Sequence, residues 1–125
     1  MYFIMSMQIS QLANETGLSI HTLRYYEKEG IFPPVKRNEN GIRVYDSEDV
    51  EWINFASRLR ETGMSIAEMR KFAQLVIQQG DESKNECIKM LRQQNMRIKN
   101  QMEQLTRCTE LINQKIELYS SPTGD

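Results

Sequence analysis

Short amphipathic stretches alternate with glycine-bearing breaks over the first 80 positions, and a single helical pattern then runs almost to the end of the chain. From Ser10 to Thr16, Leu12 and Ala13 lie on one apolar stripe, and Gly17 is placed to close a first helix in the left-handed conformation. Ser19 suits the N-cap of a second helix, with Leu18 stapled to Leu23 and Gly30 ending the segment. Two short helices thus meet across a tight turn. Beyond Pro33 and Pro34, Val35-Lys-Arg37 and Ile42-Arg-Val-Tyr45 flank Asn38-Glu-Asn-Gly41, where Asn40-Gly41 is expected to supply the positive φ angles of a hairpin. Ser47 opens a third helix with Glu48 and Asp49 in its first turn, and Val50, Ile53, Phe55 and Leu59 are its expected buried positions, up to Gly63. Ser65-Ile-Ala-Glu68 reads as a capping box with Met64 and Met69 as its staple, and Phe72, Leu75 and Val76 continue that face to Gly80.

Ser83-Lys-Asn-Glu86 reads as another capping box, after which neither Gly nor Pro occurs before Pro122. A helix of about 35 residues follows, roughly 52 Å long. Along it Ile88, Asn95, Met102, Thr109 and Ile116 take the a positions of a heptad, and Leu91, Ile98, Leu105, Ile112 and Tyr119 take the d positions. Such a seam is too long to be covered by the preceding small domain, so it predicts dimerisation through a coiled coil. The polar Asn95 would then set the register. The heptads fix no direction, since parallel and antiparallel pairings both satisfy them. The expected organisation is a small domain of short elements at 7–80, a coiled-coil dimerisation helix at 83–119 and a frayed tail at 120–125.

Composition changes this picture mainly by exclusion. With 125 residues, 16 Lys plus Arg against 17 Asp plus Glu and a net charge of -1, the chain has no global signature of a polyanion binder. Any nucleic-acid role must come from local pattern. No apolar run reaches membrane-spanning length, and the opening Met1-Tyr-Phe-Ile-Met-Ser-Met7 lacks the features of a signal peptide, so a cytoplasmic protein with no membrane partner is expected. Two cysteines, Cys87 and Cys108, make neither a disulfide framework nor a zinc site, and no metal or other cofactor is called for. His21 is the single histidine, neither cysteine has a histidine nearby in sequence, and no Gly-rich phosphate loop occurs, which argues against an enzyme.

A short helix, a glycine turn and a second helix opening on Ser19-Ile-His-Thr22 is the arrangement that lets a helix N-terminus enter a major groove. Ser19, His21 and Thr22 occupy that end. Arg24, Tyr25 and Lys28 follow on the same helix, and Lys36, Arg37 and Arg43 come from the hairpin. A lone surface arginine is ordinarily just solvated; convergence of several on one face favours phosphate contact. Of the adjacent tyrosines one should face inward, and Tyr26 is assigned that role, leaving Tyr25 outward. The competing reading is a coiled-coil adaptor whose helix-turn-helix contacts protein. Salt dependence separates the two, because counterion release makes DNA binding weaken steeply as salt rises.

Ile9-Ser-Gln-Leu-Ala13, Thr16-Gly-Leu-Ser19, Thr22-Leu-Arg-Tyr-Tyr-Glu27, Gly30, Gly41-Ile-Arg-Val-Tyr45 and Glu61-Thr-Gly-Met-Ser65 together resemble the start of MerR-family transcriptional regulators. The resemblance spans about 7–80, with Met7 at the family's usual start and Met1 to Ser6 as an extension. It implies a mainly α fold: a winged helix-turn-helix DNA-binding domain followed by a long dimerisation helix that forms an antiparallel coiled coil. It also implies a homodimer on double-stranded DNA at a pseudo-palindromic operator, with RNA polymerase as partner where the promoter spacer is bent and untwisted. Arg24, Tyr25, Arg43 and Tyr45 match the family's phosphate- or base-contacting positions, Arg60 matches a phosphate contact of its second wing, and Arg58 lies beside it. Departures concern sensing. Metal-responsive relatives carry a cysteine loop after the coiled coil, where this chain has no cysteine beyond Cys108; aldehyde- or thiol-responsive relatives carry a cysteine where Arg58 stands. The residues name no effector, target gene or sign of regulation.

Overall fold

In a computed structural model, residues 6–122 are described, in the order α1 (Ile9–Thr16), α2 (Ile20–Lys28), β1 (Lys36–Arg37), β2 (Arg43–Val44), α3 (Ser47–Glu61), α4 (Ile66–Gln78) and α5 (Asp81–Tyr119). The expected extension at Met1 to Ser6 lies outside the described residues except for Ser6, and so do the last three residues of the expected tail. The described residues fall into two compact units, the first ending at Ile88 and the second beginning at Lys89.

In the first unit, local chemistry sets each boundary. Gly17 closes α1 at φ 71°, its N–H donating to the Ala13 carbonyl at 2.9 Å, a conformation that a Cβ would strain. Two residues later the Ser19 side chain accepts from Thr22 N–H at 3.0 Å and caps α2. The hairpin pairs Lys36 with Val44 and Arg37 with Arg43, antiparallel. Met7 extends it: its N–H and carbonyl both pair with those of Tyr45 at 2.7 Å, a bridge with no local sequence signal.

The hairpin turn differs from expectation. Only Gly41 has a positive φ, at 76°, and Asn40 does not. The Gly41 N–H donates to the Asn38 carbonyl at 2.9 Å, and Asn38 Oδ1 accepts from the N–H groups of Asn40 and Ile42 at 3.0 Å each. A side-chain acceptor thus organises a longer loop in which one glycine supplies the left-handed residue, in place of a two-residue turn.

α3 begins at Ser47 as its pattern suggests, but the cap is Asp46. Its carboxylate accepts from Glu48 and Asp49 N–H, and Asp46 N–H in turn donates to the Asp49 carboxylate at 2.9 Å. Ser65 and Glu68 form the expected box on α4. Ser83 forms none, because α5 has already begun at Asp81 and Ser83 is a buried residue inside it.

Leu12, Leu23, Ile31, Ile53 and Met64 form the fully buried centre, each worth about 1.5–3 kcal/mol on burial. Trp52 locks α3 in place: its indole N–H donates to the Ile31 carbonyl at 2.8 Å, and its ring stacks on Phe72 at 5.7 Å and 7°. Phe55 and Val76, expected inside, are exposed at 42% and 40%. Phe55 still touches Phe72, its ring tilted at 6.1 Å, so it flanks the aromatic stack from outside. The second unit is the remainder of α5, and every position from 99 to Tyr119 is exposed.

Candidate nucleic-acid interface

α2 presents its N-terminus through a hydroxyl pair. Ser19 Oγ accepts from Thr22 N–H and donates to Thr22 Oγ1 at 2.9 Å, so the two side chains that open the helix hold each other. His21 beside them is exposed. One turn further, Arg24 is exposed and Tyr25 is 42% exposed, while Tyr26 turns inward and meets Phe32 edge-on at 6.2 Å. Helical spacing alone separates the two tyrosines in this way.

Between α2 and the wing lies a concavity of about 340 Å³ lined by Gln8, Ile9, Arg24, Ile42, Arg43 and Tyr45. Three of the expected contact residues, Arg24, Arg43 and Tyr45, therefore meet at one place although they are drawn from a helix and a strand. Tyr45 is itself 3% exposed and belongs mostly to the core. Burial, and after it the charge of Glu27, hold its hydroxyl above the ordinary phenol range, while Arg43 and Arg24 act in the opposite sense. Two guanidiniums at the edge of such a depression suit a phosphate, which accepts from both.

The other cations are placed differently. Lys36 Nζ donates to the Asp46 carboxylate at the cap of α3. That bond holds the Asp46 carboxyl below its ordinary range against the opposing effect of burial, and it raises Lys36. Arg37 Nη1 donates to the Gly41 carbonyl at 2.7 Å and so braces the wing turn. On α3, Arg58 reaches Glu61 at 3.4 Å and Arg60 Nη1 donates to the Met64 carbonyl at 3.1 Å. Both are exposed residues, and neither lines the concavity.

Glu27 is the residue that sequence reasoning missed: its Oε2 accepts from Arg43 Nη1 at 2.7 Å. A signal was present, since Glu27 stands three positions after Arg24 on one helix face, but its partner comes from the wing and no spacing rule reaches that far.

A short helix pair, a β-ribbon wing and a convergent cationic depression define a winged helix-turn-helix DNA-binding protein. Residues 7–75 match the family described as MerR HTH family regulatory protein, and residues 50–114 match the one described as MerR, DNA binding. The chain belongs to the MerR family and is a DNA-binding transcriptional regulator. An HTH-type transcriptional regulator of Haemophilus influenzae is 33% identical over 115 residues, covering 92% of this chain and 84% of that one. AdhR of Bacillus subtilis, also an HTH-type transcriptional regulator, is 48% identical over 69 residues, covering 55% of this chain and 49% of its own. HiNmlR, a MerR family regulator lacking the sensor domain and solved bound to promoter DNA, superposes with a TM-score of 0.83 at 33% identity, covering 92% of this chain and 90% of that one. No helix among the described residues is long and apolar enough to cross a membrane.

Proposed function

We propose that two copies of this chain pair through α5 as an antiparallel coiled coil and bind a pseudo-palindromic promoter operator, distorting the spacer so that RNA polymerase can use it. The observation that carries this reading is the bare seam of α5. Met102, Leu105, Ile112, Ile116 and Tyr119 are 62%, 67%, 54%, 57% and 80% exposed, on a helix whose length of 39 residues is about 58 Å. An isolated helix with an exposed apolar heptad stripe gains its stability from a partner, and an identical helix satisfies the same stripe. Ile88, Leu91, Asn95 and Ile98 continue the same heptad pattern toward the N-terminus of α5. A two-fold protein in turn suits a two-fold operator, with half-sites spaced by whole helical turns.

Within each half-site, Ser19, His21 and Thr22 lie where base edges are read. Arg24, Tyr25, Arg43 and the Tyr45 hydroxyl serve the phosphates beside them, with Lys36, Arg58 and Arg60 as flanking backbone contacts. On this reading the chain works by binding and deforming DNA rather than by catalysis, needs no cofactor, and resides with the DNA in the cytoplasm. Sedimentation equilibrium and footprinting on the region upstream of its own gene test it. A dimer protecting two symmetric half-sites, with hypersensitive cleavage between them, is expected; a monomer, or a single protected half-site, would overturn it.

A further inference from the structure

Glu27 sits where a DNA-binding surface has least use for a carboxylate. It lies on α2 one turn beyond Arg24, beside the concavity, and bonds to Arg43 across 16 residues of sequence. Its side chain is 18% exposed, whereas that of Arg43 is 46% exposed, so the acid is largely covered and the arginine stays presented. Its charge also reaches Tyr45, whose hydroxyl it helps hold above the ordinary range. An ionised carboxylate accepts hydrogen bonds but donates none, so it repels a phosphate in any pose where Arg43 does not stand between them.

We propose that Glu27 is a specificity-determining positioning residue, fixing the wing through Arg43 to the recognition helix α2 so that helix and wing meet DNA in a single register. This inference rests on the DNA contacts proposed above for Arg24 and Arg43. The wing has little else to set its angle toward α2: its strands are two residues each, and a two-stranded ribbon is marginal by itself. The Met7–Tyr45 bridge anchors the base of β2, and Lys36 ties β1 to the cap of α3. The Glu27–Arg43 pair is the link from β2 to the helix that reads bases. It positions Arg43, and it penalises off-register phosphates that would otherwise profit from the same cation.

The test uses the full chain, the footprinted promoter duplex and a scrambled duplex of equal length. Glu27→Gln removes the charge at nearly constant shape. We expect affinity for scrambled DNA to rise about threefold and the promoter-to-scrambled ratio to fall about tenfold. In an Arg43→Ala background the same substitution should leave the ratio nearly unchanged. Glu27→Asp, one methylene shorter, should move the ratio in the same direction by less. Without DNA, 13C-tyrosine NMR should show the Tyr45 hydroxyl titrating lower in Glu27→Gln. An unchanged ratio, or one that falls equally with and without Arg43, would overturn the role of Glu27. If Arg24→Ala and Arg43→Ala both left DNA binding intact, the contacts themselves would fall and Glu27 with them; weakened binding in both, with Glu27 acting independently of Arg43, would remove the positioning role alone.

Discussion

Arg24 and Arg43 share a concavity but differ in pairing: Arg43 is held by Glu27, and no salt bridge holds Arg24 among the described residues. Replacing either by Ala should weaken promoter binding about tenfold, roughly 1.4 kcal/mol, without dissociating the proposed dimer. Arg43→Ala should lower promoter affinity more than scrambled affinity, because it also breaks the link to Glu27, whereas Arg24→Ala, on the helix, should alter base preference in a titration across half-site variants. Lys36 makes a different prediction, because its bond to Asp46 places it in the scaffold as well as on the surface. The Asp46 carboxyl is held below its ordinary range chiefly by Lys36, so its contribution to stability is present above the unfolded carboxylate pKa and is lost as pH falls through the lower folded value. The raised Lys36 contributes below its unfolded pKa and is lost only as pH climbs through the higher folded value. Asp49 opposes Asp46 in acid, since burial raises its carboxyl and protonation relieves that cost. Lys36→Met should therefore move the Asp46 carboxyl upward in a 13C titration and shift acid unfolding, followed by circular dichroism, to higher pH. An unmoved Asp46 would show that the pair does not hold in solution.

Among the elements, the helices were legible because their signals are local. Ser19 before α2, the Ser65–Glu68 box and the glycine closing α1 each act within four residues, and all three stand as the pattern implies. What was not legible depends on partners far along the chain or on competition between neighbouring signals. Asp46 takes the cap of α3 because its carboxylate is also bonded to Lys36, ten positions earlier. Ser83 loses its cap because α5 can start two residues sooner, after a strained joint at Gln79 and Gly80. Gln79 adopts φ 59° and ψ 177°, a region that suits glycine almost alone and costs about 1–3 kcal/mol for other residues. Glycine loses about 0.5–1 kcal/mol more backbone entropy on folding, so relief of strain should win. Gln79→Gly is expected to stabilise the protein by about 1 kcal/mol in urea unfolding, and destabilisation would contradict the strain. At the other end of α4, Arg70 donates to the Glu29 carbonyl at 2.6 Å and to the Glu29 carboxylate, joining α4 to the C-terminus of α2 over 41 residues. Arg70→Met should cost about 1–2 kcal/mol by the same measurement, the pair being part-exposed at 40% and 31%.

For the whole molecule, a net charge of -1 and DNA binding are compatible because Arg24 and Arg43 converge on one concavity, while Asp46, Asp49 and Glu61 of the neighbouring elements are engaged in a helix cap and ion pairs and do not line it. If Arg24, Lys36, Arg43, Arg58 and Arg60 of both protomers each neutralise one phosphate, the logarithmic salt slope should be about -9, and Arg43→Ala should reduce its magnitude by about 2. A flat salt dependence would instead favour protein contacts. The proposed coiled coil supplies the last prediction. Asn95 is exposed in the protomer at an a position, where a paired helix would bury it. Asn95→Leu should raise the thermal stability of the dimer but broaden its register or oligomeric state in sedimentation. The cysteines offer an independent check on that register. Cys87 is half-buried, with burial raising its thiol above the ordinary range, and Cys108 is exposed; both are free. Within one helix they lie about 31 Å apart, beyond any disulfide. Across an antiparallel pair they would meet only if the two-fold axis fell between residues 97 and 98, whereas the midpoint of Asp81–Tyr119 is residue 100. An end-aligned coil therefore offsets each Cys87 from the partner's Cys108 by about 7–8 Å along the axis, past the reach of a disulfide. Oxidant should leave Cys87→Ser, Cys108→Ser and the unaltered chain equally non-covalent on non-reducing gels, with DNA binding unchanged. A covalent dimer that disappears in either mutant would move the axis by two to three residues and make the pair a thiol switch.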